Sequence, residues 1–467
     1  MHHQWNYYTY LLLILFPLLS NYAFIGAQED SDSPMIVRLE TESDLTPIYL
    51  LPFQLEQPEL DSSYVKQLRG ILEFDLNHNG SSVLLKNSTK FDTITETLPF
   101  QEFGSLATWQ ENAIYFVIKI RLEGKNISAL ILDINKKNLK NSEALLLSGD
   151  LAHDRSQIHR LADIIYKAIF ENDGIATSQL LFVKQFKNGT DSSKWLSEVY
   201  QCDYDGGNMK QITDEKSLCI TPTYIPPKPG YTAGGFLFVS YKSGQPKIYI
   251  SSIKNGKCQR LTYLNGNQFM PTISKDRDKI AFVCDATGNP DLFLQNFSPE
   301  TGAIGKPQQI FSARRATQGT PTFSPDGKKI AFVSNKDGAP KIYVITIPEP
   351  GTSLNAIKPL LISKINKENT APAWSPNGSM IAYCARNGGA RQLWIYDFKT
   401  NKERQITEGN INKENPTWAP NNLVIAYNTT NQQTNDLFIV NIFDPKSTQI
   451  TFGPGDKRFP SWEPRFK

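Results

Sequence analysis

Through the second half of the chain, short apolar runs are separated by polar turns, and four phrases return in a constant order. The first is a proline with an apolar or aromatic residue two positions on: Pro222-Thr223-Tyr224, Pro271-Thr272-Ile273, Pro321-Thr322-Phe323, Pro372-Ala373-Trp374, Pro416-Thr417-Trp418 and Pro460-Ser461-Trp462, at intervals of 49, 50, 51, 44 and 44 residues. The second is an apolar triplet at Leu181, Leu237, Ala281, Ala331, Ala382 and Ala426. The third begins at Glu198, Lys247, Asp291, Lys341, Gln392 and Asp436, and the fourth at Gln211, Arg260, Gln309, Leu361, Gln405 and Gln449. Apolar triplets of this length with turn residues between them read as strands. Four strand phrases in six copies predict an all-β six-bladed β-propeller over residues 176–467.

Turn chemistry agrees. Ser324-Pro325-Asp326-Gly327 and Ser375-Pro376-Asn377-Gly378 separate the first phrase from the second, where a tight reversal needs one fixed φ and one positive φ. The proline of the first phrase cannot donate to a ladder, so it is expected at the start of a strand or on a free edge, as the innermost strand of a blade has. The first copy lacks its proline phrase, and Pro460-Ser461-Trp462 has nothing after it. The C-terminal strand is therefore expected to close the ring by completing the first blade.

Residues 34–173 lack the repeat. Ile36–Glu40 and Ile48–Phe53 are short apolar runs of β character, and Asp61 precedes a helical stretch with Val65, Leu68, Ile71 and Leu72 on one face. Ala113–Leu122 and Ile127–Ile134 flank the turn Gly124-Lys125-Asn126, and a second helix over Ser156–Glu171 aligns Ile158, Leu161, Ala162, Ile165 and Ile169. An α+β domain results, a mixed sheet with two helices, joined to the propeller at Asn172-Asp173-Gly174. Residues 1–27 carry the apolar run Leu11–Leu19 and a small-residue exit near Ala27, the layout of a signal peptide, although the preceding segment has no Lys or Arg.

Composition narrows the function. The 467 residues suggest about three domains, and the formal charge of +3 from 49 basic and 46 acidic residues gives no dense basic surface for nucleic acid. The five cysteines have no C-x-x-C spacing, so neither zinc nor a disulfide framework is signalled; they read as isolated thiols, with Cys202–Cys219 the one pair near enough in sequence to test. Beyond the leader stand three histidines, His78, His153 and His159, read as solvent-facing or capping. No G-x-S-x-G elbow, P-loop or dinucleotide fingerprint is present. No catalytic, cofactor-binding or metal-ligating residue is therefore expected, and no stable membrane span. What remains is a rigid ring with loops at both faces. Its candidate docking mouth is formed by the polar residues ahead of the proline phrases: Asn267, Gln268, Thr317, Gln318, Glu368, Asn369, Lys413, Glu414, Lys457 and Arg458. A secreted propeller enzyme of lactonase or sugar dehydrogenase type, or a carbohydrate-binding propeller, is the alternative.

These features together resemble TolB, the periplasmic component of the Tol-Pal system. The pieces that carry the resemblance are His159-Arg160-Leu161-Ala162-Asp163-Ile164-Ile165-Tyr166 leading to Gly174-Ile175-Ala176, the Pro321–Ser334 repeat and the ending Phe459-Pro460-Ser461-Trp462-Glu463-Pro464. The resemblance covers essentially the whole chain after the leader. It implies a non-enzymatic, monomeric periplasmic scaffold. Its mouth would dock a Pal-like peptidoglycan-associated lipoprotein, and its N-terminal segment would pair with the inner-membrane protein TolA, with outer-membrane proteins as further partners. On that reading Ile36, Val37, Arg38, Leu39 and Glu40 contact TolA by adding a strand. The family-like Pro-Asp-Gly turn is replaced by Lys275-Asp276-Arg277 in one repeat and by Pro420-Asn421-Asn422 in another.

Overall fold

The computed structural model describes residues 45–86, 88, 91–92, 98–189, 194–431 and 435–465. Residues 1–27, expected to be a signal peptide, and the segment Ile36–Glu40 lie outside them. The first elements are β1 (Thr46–Leu50), β2 (Gln54–Glu56), α1 (Ser62–His78), β3 (Ser82–Leu84), α2 (Leu106–Glu111), β4 (Phe116–Glu123), β5 (Asn126–Asp133), β6 (Asn138–Asn141), β7 (Leu145–Leu146) and α3 (Leu151–Phe170). They form a mixed sheet of order β3-β1-β4-β5-β6, with β2 beside β4 and β7 beside β5. Its strands are apolar on both sides because both sides are covered. Ile48, Leu50, Ile118 and Ile120 meet the apolar stripes of α1 and α3. Tyr49, Leu51, Val117 and Leu130 face Phe91, Phe103 and Trp109.

Asp61 caps α1, its Oδ1 accepting from Tyr64 N at 2.9 Å. The second long helix starts five residues before the expected Ser156, because Asp150 caps it and accepts from His153 N. Its apolar stripe is interrupted between Leu151 and Ile158 by the buried Asp154, so periodicity could not register the first turn. The short α2 was not expected. It ends at Asn112, and Ala113, expected to open the next strand, instead turns the chain with φ 52°.

The propeller follows in four-stranded antiparallel blades. Blade 1 holds β8 (Gln179–Lys187), β9 (Trp195–Asp203) and β10 (Lys210–Gln211). Blade 2 is β11 (Cys219–Tyr224), β12 (Gly235–Ser240), β13 (Lys247–Ser252) and β14 (Cys258–Arg260). Blade 3 is β15 (Gln268–Ile273), β16 (Lys279–Cys284), β17 (Asp291–Ser298) and β18 (Gly302–Phe311). Blade 4 is β19 (Gln318–Phe323), β20 (Lys329–Ser334), β21 (Lys341–Thr346) and β22 (Leu360–Leu361). Blade 5 is β23 (Glu368–Trp374), β24 (Met380–Arg386), β25 (Gln392–Asp397) and β26 (Lys402–Gln405). Blade 6 is β27 (Asn412–Trp418), β28 (Val424–Thr430), β29 (Leu437–Asn441) and β30 (Asp444–Gln449). The last strand, β31 (Asp456–Trp462), pairs with β8 and closes the ring.

Neighbouring inner strands are stitched together by the phrase that revealed them. Thr417 Oγ1 accepts from Trp462 N at 3.0 Å, and Trp418 Nε1 donates to Ala373 O at 2.9 Å, so the hydroxyl and the indole each reach the adjoining blade. The two altered turns keep the geometry of the regular ones. Arg277 at φ 61° and Asn422 at φ 65° stand where Gly327 takes φ 66°. The two halves share one core: Leu161, Ile165 and Leu76 pack in the same cluster as Tyr204, Ala419, Val424, Ile450 and Trp462.

Candidate functional site

The six prolines of the first phrase sit inside their strands, not at the start. In every inner strand the register slips by one residue at the X-Pro pair. The residue before each proline, Thr221, Met270, Thr320, Ala371, Asn415 or Phe459, is left-handed with φ between 38° and 55°. A bulge of this kind leaves one residue unpaired and bends the strand. It is tolerated here because the channel side of each inner strand has no neighbour to bond. The bulge residues and prolines together line a cavity of about 130 Å³. Of the six bulge residues only Asn415 belongs to a type that favours this conformation, so the sequence carried little signal for the ring.

The ten residues expected at the mouth divide by position. Those three before the proline are buried: Gln268 0 %, Gln318 1 %, Asn369 0 %, Lys413 9 % and Lys457 0 % exposed. This corrects the expectation that they project from the mouth, for most of them tie each blade to the one before it. Lys457 Nζ lies 2.9 Å from Asp436 Oδ1 and also donates to Gly453 O. Lys413 Nζ donates to Gln392 Oε1 at 2.9 Å, and Thr407 Oγ1 donates to the same oxygen at 3.0 Å. Gln268 accepts from Thr262 Oγ1, and Asn369 donates to Asn366 O at 3.0 Å. The third strand phrase therefore opens on a polar residue because that residue answers the inner strand of the next blade. Gln318 is the exception: neither atom of its amide has a hydrogen-bond partner.

The other five are half-buried at the rim. Glu368 receives Arg386 through Nε at 3.1 Å and Nη2 at 2.8 Å, and Arg391 lies 3.5 Å from Glu368 and 3.4 Å from Glu414. Two of the expected residues are thus brought into one ion-pair cluster across blades 5 and 6. Arg458 pairs with Asp456 at 3.1 Å. Asn267 Nδ2 donates to Asp285 Oδ2 at 2.7 Å, and Thr317 N donates to Asn335 Oδ1 at 2.7 Å.

A family profile described as "TolB beta propeller domain" matches residues 166–466. The chain is 56% identical to "Protein TolB homolog" of Protochlamydia amoebophila over 397 residues, 85% of this chain and 84% of the relative. The chain belongs to the TolB family. Identity to the Chlamydia abortus TolB homolog is 41% over 282 residues, 60% of this chain and 63% of that one. The crystal structure of TolB from Acinetobacter baumannii shares the fold at a TM-score of 0.69 and 21% identity, covering 90% of this chain and 97% of that one.

The remaining chemistry is not at the mouth. No disulfide joins Cys202 and Cys219; all five thiols are free, and burial pushes those of Cys202 and Cys219 up. Among the described residues His153 is the exposed histidine, while His78 bridges Phe74 O and Thr448 Oγ1. His159 departs from expectation: it is 2 % exposed and lies against Asp75 at 2.8 Å. It occupies the buried side of α3 beside Ile158 and Ala162. That position was legible in the helix, but its acidic partners come from other elements.

Proposed function

We propose that this chain is a non-enzymatic periplasmic scaffold that docks a Pal-like peptidoglycan-binding lipoprotein at the propeller mouth. On this reading the stretch 34–44, with Ile36, Val37, Arg38, Leu39 and Glu40, adds a strand to TolA, and the pair of contacts supports envelope integrity and constriction at division. The observation that carries the reading is the mouth itself, on a chain of the TolB family: six bulged inner strands surround a small cavity. The rim offers half-buried groups of both signs, with Glu368, Glu414 and Arg458 among them. Cross-blade bonds hold that rim in place before any partner arrives, which lowers the cost of ordering it on binding.

Thr317 and Arg458 are the rim positions to alter, since neither side chain carries a cross-blade bond of the kind Lys457 makes. The double variant Thr317→Glu/Arg458→Glu is expected to keep its melting temperature within a few degrees. It should weaken binding to the soluble domain of such a lipoprotein about tenfold or more, read by calorimetry. A dissociation constant equal to that of the unaltered chain would count against the mouth.

A further inference from the structure

Away from the mouth, the junction between α3 and blade 1 gathers Asp75, His159, Asp203 and Asp205, with Tyr204 and Arg155 around them. We propose that His159 Nε2 and one carboxylate oxygen each of Asp203 and Asp205 form a site for a divalent cation of the zinc class, with water completing the coordination. The donor atoms of these three residues lie within 4.8 Å of one another.

The histidine is prepared for such a role. Its Nδ1 is 2.8 Å from Asp75 Oδ2, and Asp75, itself 1 % exposed, accepts from Tyr204 OH at 2.8 Å. A carboxylate on Nδ1–H fixes the ring and its tautomer, and turns the Nε2 lone pair outward, which is the outer-shell arrangement of metal-binding histidines. Nε2 is buried and has no hydrogen-bond partner. It faces Asp203 Oδ2 at 3.7 Å and Asp205 Oδ2 at 3.8 Å, too far for hydrogen bonds. Bonds of about 2.0–2.2 Å to a tetrahedral cation set ligand atoms roughly 3.4 Å apart, so the two histidine–carboxylate separations need shorten by only a few tenths of an ångström, and the carboxylates close on the ion from within 4.8 Å of each other.

The supporting backbone is stiff. His159 is in mid-helix and Asp203 ends β9. Asp205 enters a turn whose next residue, Gly206, has φ 86° and would drive a Cβ to 1.6 Å from Ile450 O. Asp203 also accepts from Gln179 Nε2 at 3.3 Å on Oδ1 and from Asn208 Nδ2 at 2.8 Å on Oδ2.

Arg155 is the competitor. Its Nη2 donates to Asp205 Oδ2, and its Nε, without a hydrogen-bond partner, stands 3.7 Å from Asp203 Oδ2. Without a metal, Arg155 and His159 face the three carboxylates alone. Burial opposes the histidine's charge, but Asp75, Asp203 and Asp205 outweigh it and raise its pKa. The cation replaces the proton on Nε2 and displaces the guanidinium toward its solvent side, where the Arg155 side chain is already 17% exposed. Its effect is to fasten helix α3 to blade 1.

The test uses the full chain, stripped with chelator and titrated with Zn²⁺ by calorimetry and with Co²⁺ by visible absorption. One metal per chain is expected, with Co²⁺ giving d–d bands of low-coordinate nitrogen and oxygen ligation. Asp205→Asn, which keeps the size of the turn residue, should lower affinity about tenfold or more, and His159→Gln should abolish the Co²⁺ bands. Arg155→Gln should tighten binding at least about threefold by removing the competitor. Absence of stoichiometric binding at about 100 µM metal, affinity unchanged by Asp205→Asn, or affinity not raised by Arg155→Gln would each overturn the proposal.

Discussion

Asp154, in the first turn of α3, is fully buried and takes five hydrogen bonds. Its donors are Ser148 N at 2.7 Å, Ser148 Oγ at 2.9 Å, Gly149 N at 2.9 Å, Tyr64 OH at 2.7 Å and His153 Nδ1 at 3.1 Å. Burial alone would raise the pKa of this carboxyl; the donors win and hold it at about 2. A carboxylate with a depressed folded pKa contributes its stability above the unfolded value of about 3.9 and loses it as pH falls toward 2, a contribution on the order of 2 kcal/mol. Asp154→Asn should therefore destabilise the chain at pH 7 by about 2–3 kcal/mol in urea unfolding, and the gap from wild type should shrink across pH 4 to 2. A gap independent of pH would refute the assignment. Nothing in the spacing of residues 148–158 announces this anchor. A capping aspartate can be read from sequence, but the convergence of Tyr64 from another helix on the same oxygens cannot. The same limit hid the site at His159, whose burial follows from the helix stripe while Asp75 and Asp203 arrive through tertiary packing.

At the scale of elements, the repeat was legible because each blade restates the same four strands, and even the altered turns at Arg277 and Asn422 keep the conformation that glycine supplies elsewhere. The polar residues before the prolines were harder to read. A polar residue near a turn normally points to water, and only the cross-blade pairing reveals that the position three before each proline faces inward. That pairing can be tested by contrast. Lys457→Met removes a buried cation 2.9 Å from Asp436 and leaves that carboxylate, still bonded by Thr451 and Gln449, without its counter-charge, which should cost about 3–5 kcal/mol. Gln318→Met, at the equivalent position in blade 4, removes an amide with no partner and should change stability by less than about 1.5 kcal/mol in either direction. Equal losses in chemical denaturation would show that the position matters only through packing, not through the bond that Lys457 makes.

For the whole molecule, the order of the phrases already implied that the last strand joins the first blade, and the structure adds what that joint holds. β31 lies antiparallel to β8, pairing Asp456 with Gln185 and Trp462 with Leu180. Beyond the strand, Glu463 donates its N–H to Gln179 O at 2.9 Å, and its carboxylate accepts from Ala233 N at 3.1 Å, reaching blade 2. Trp462 Nε1 donates to Ser178 Oγ at 2.8 Å, and its ring lies in the cluster that includes Tyr204, Leu161 and Leu76. Closure of the ring and docking of the α+β half therefore share one side chain. Removing residues 455–467 should open the inner edge of β8, leave Asp436 without Lys457 and empty part of that shared core. The expected result is a fall in melting temperature of about 10 °C or more, with loss of monomer on gel filtration as exposed edges pair between molecules. Trp462→Ala in the intact chain should reproduce part of the fall, by about 3–5 kcal/mol, without opening the β8 edge, and so should stay monomeric. If truncation left the melt unchanged, the blades would be stable as an open array and the closing strand would be dispensable to the ring.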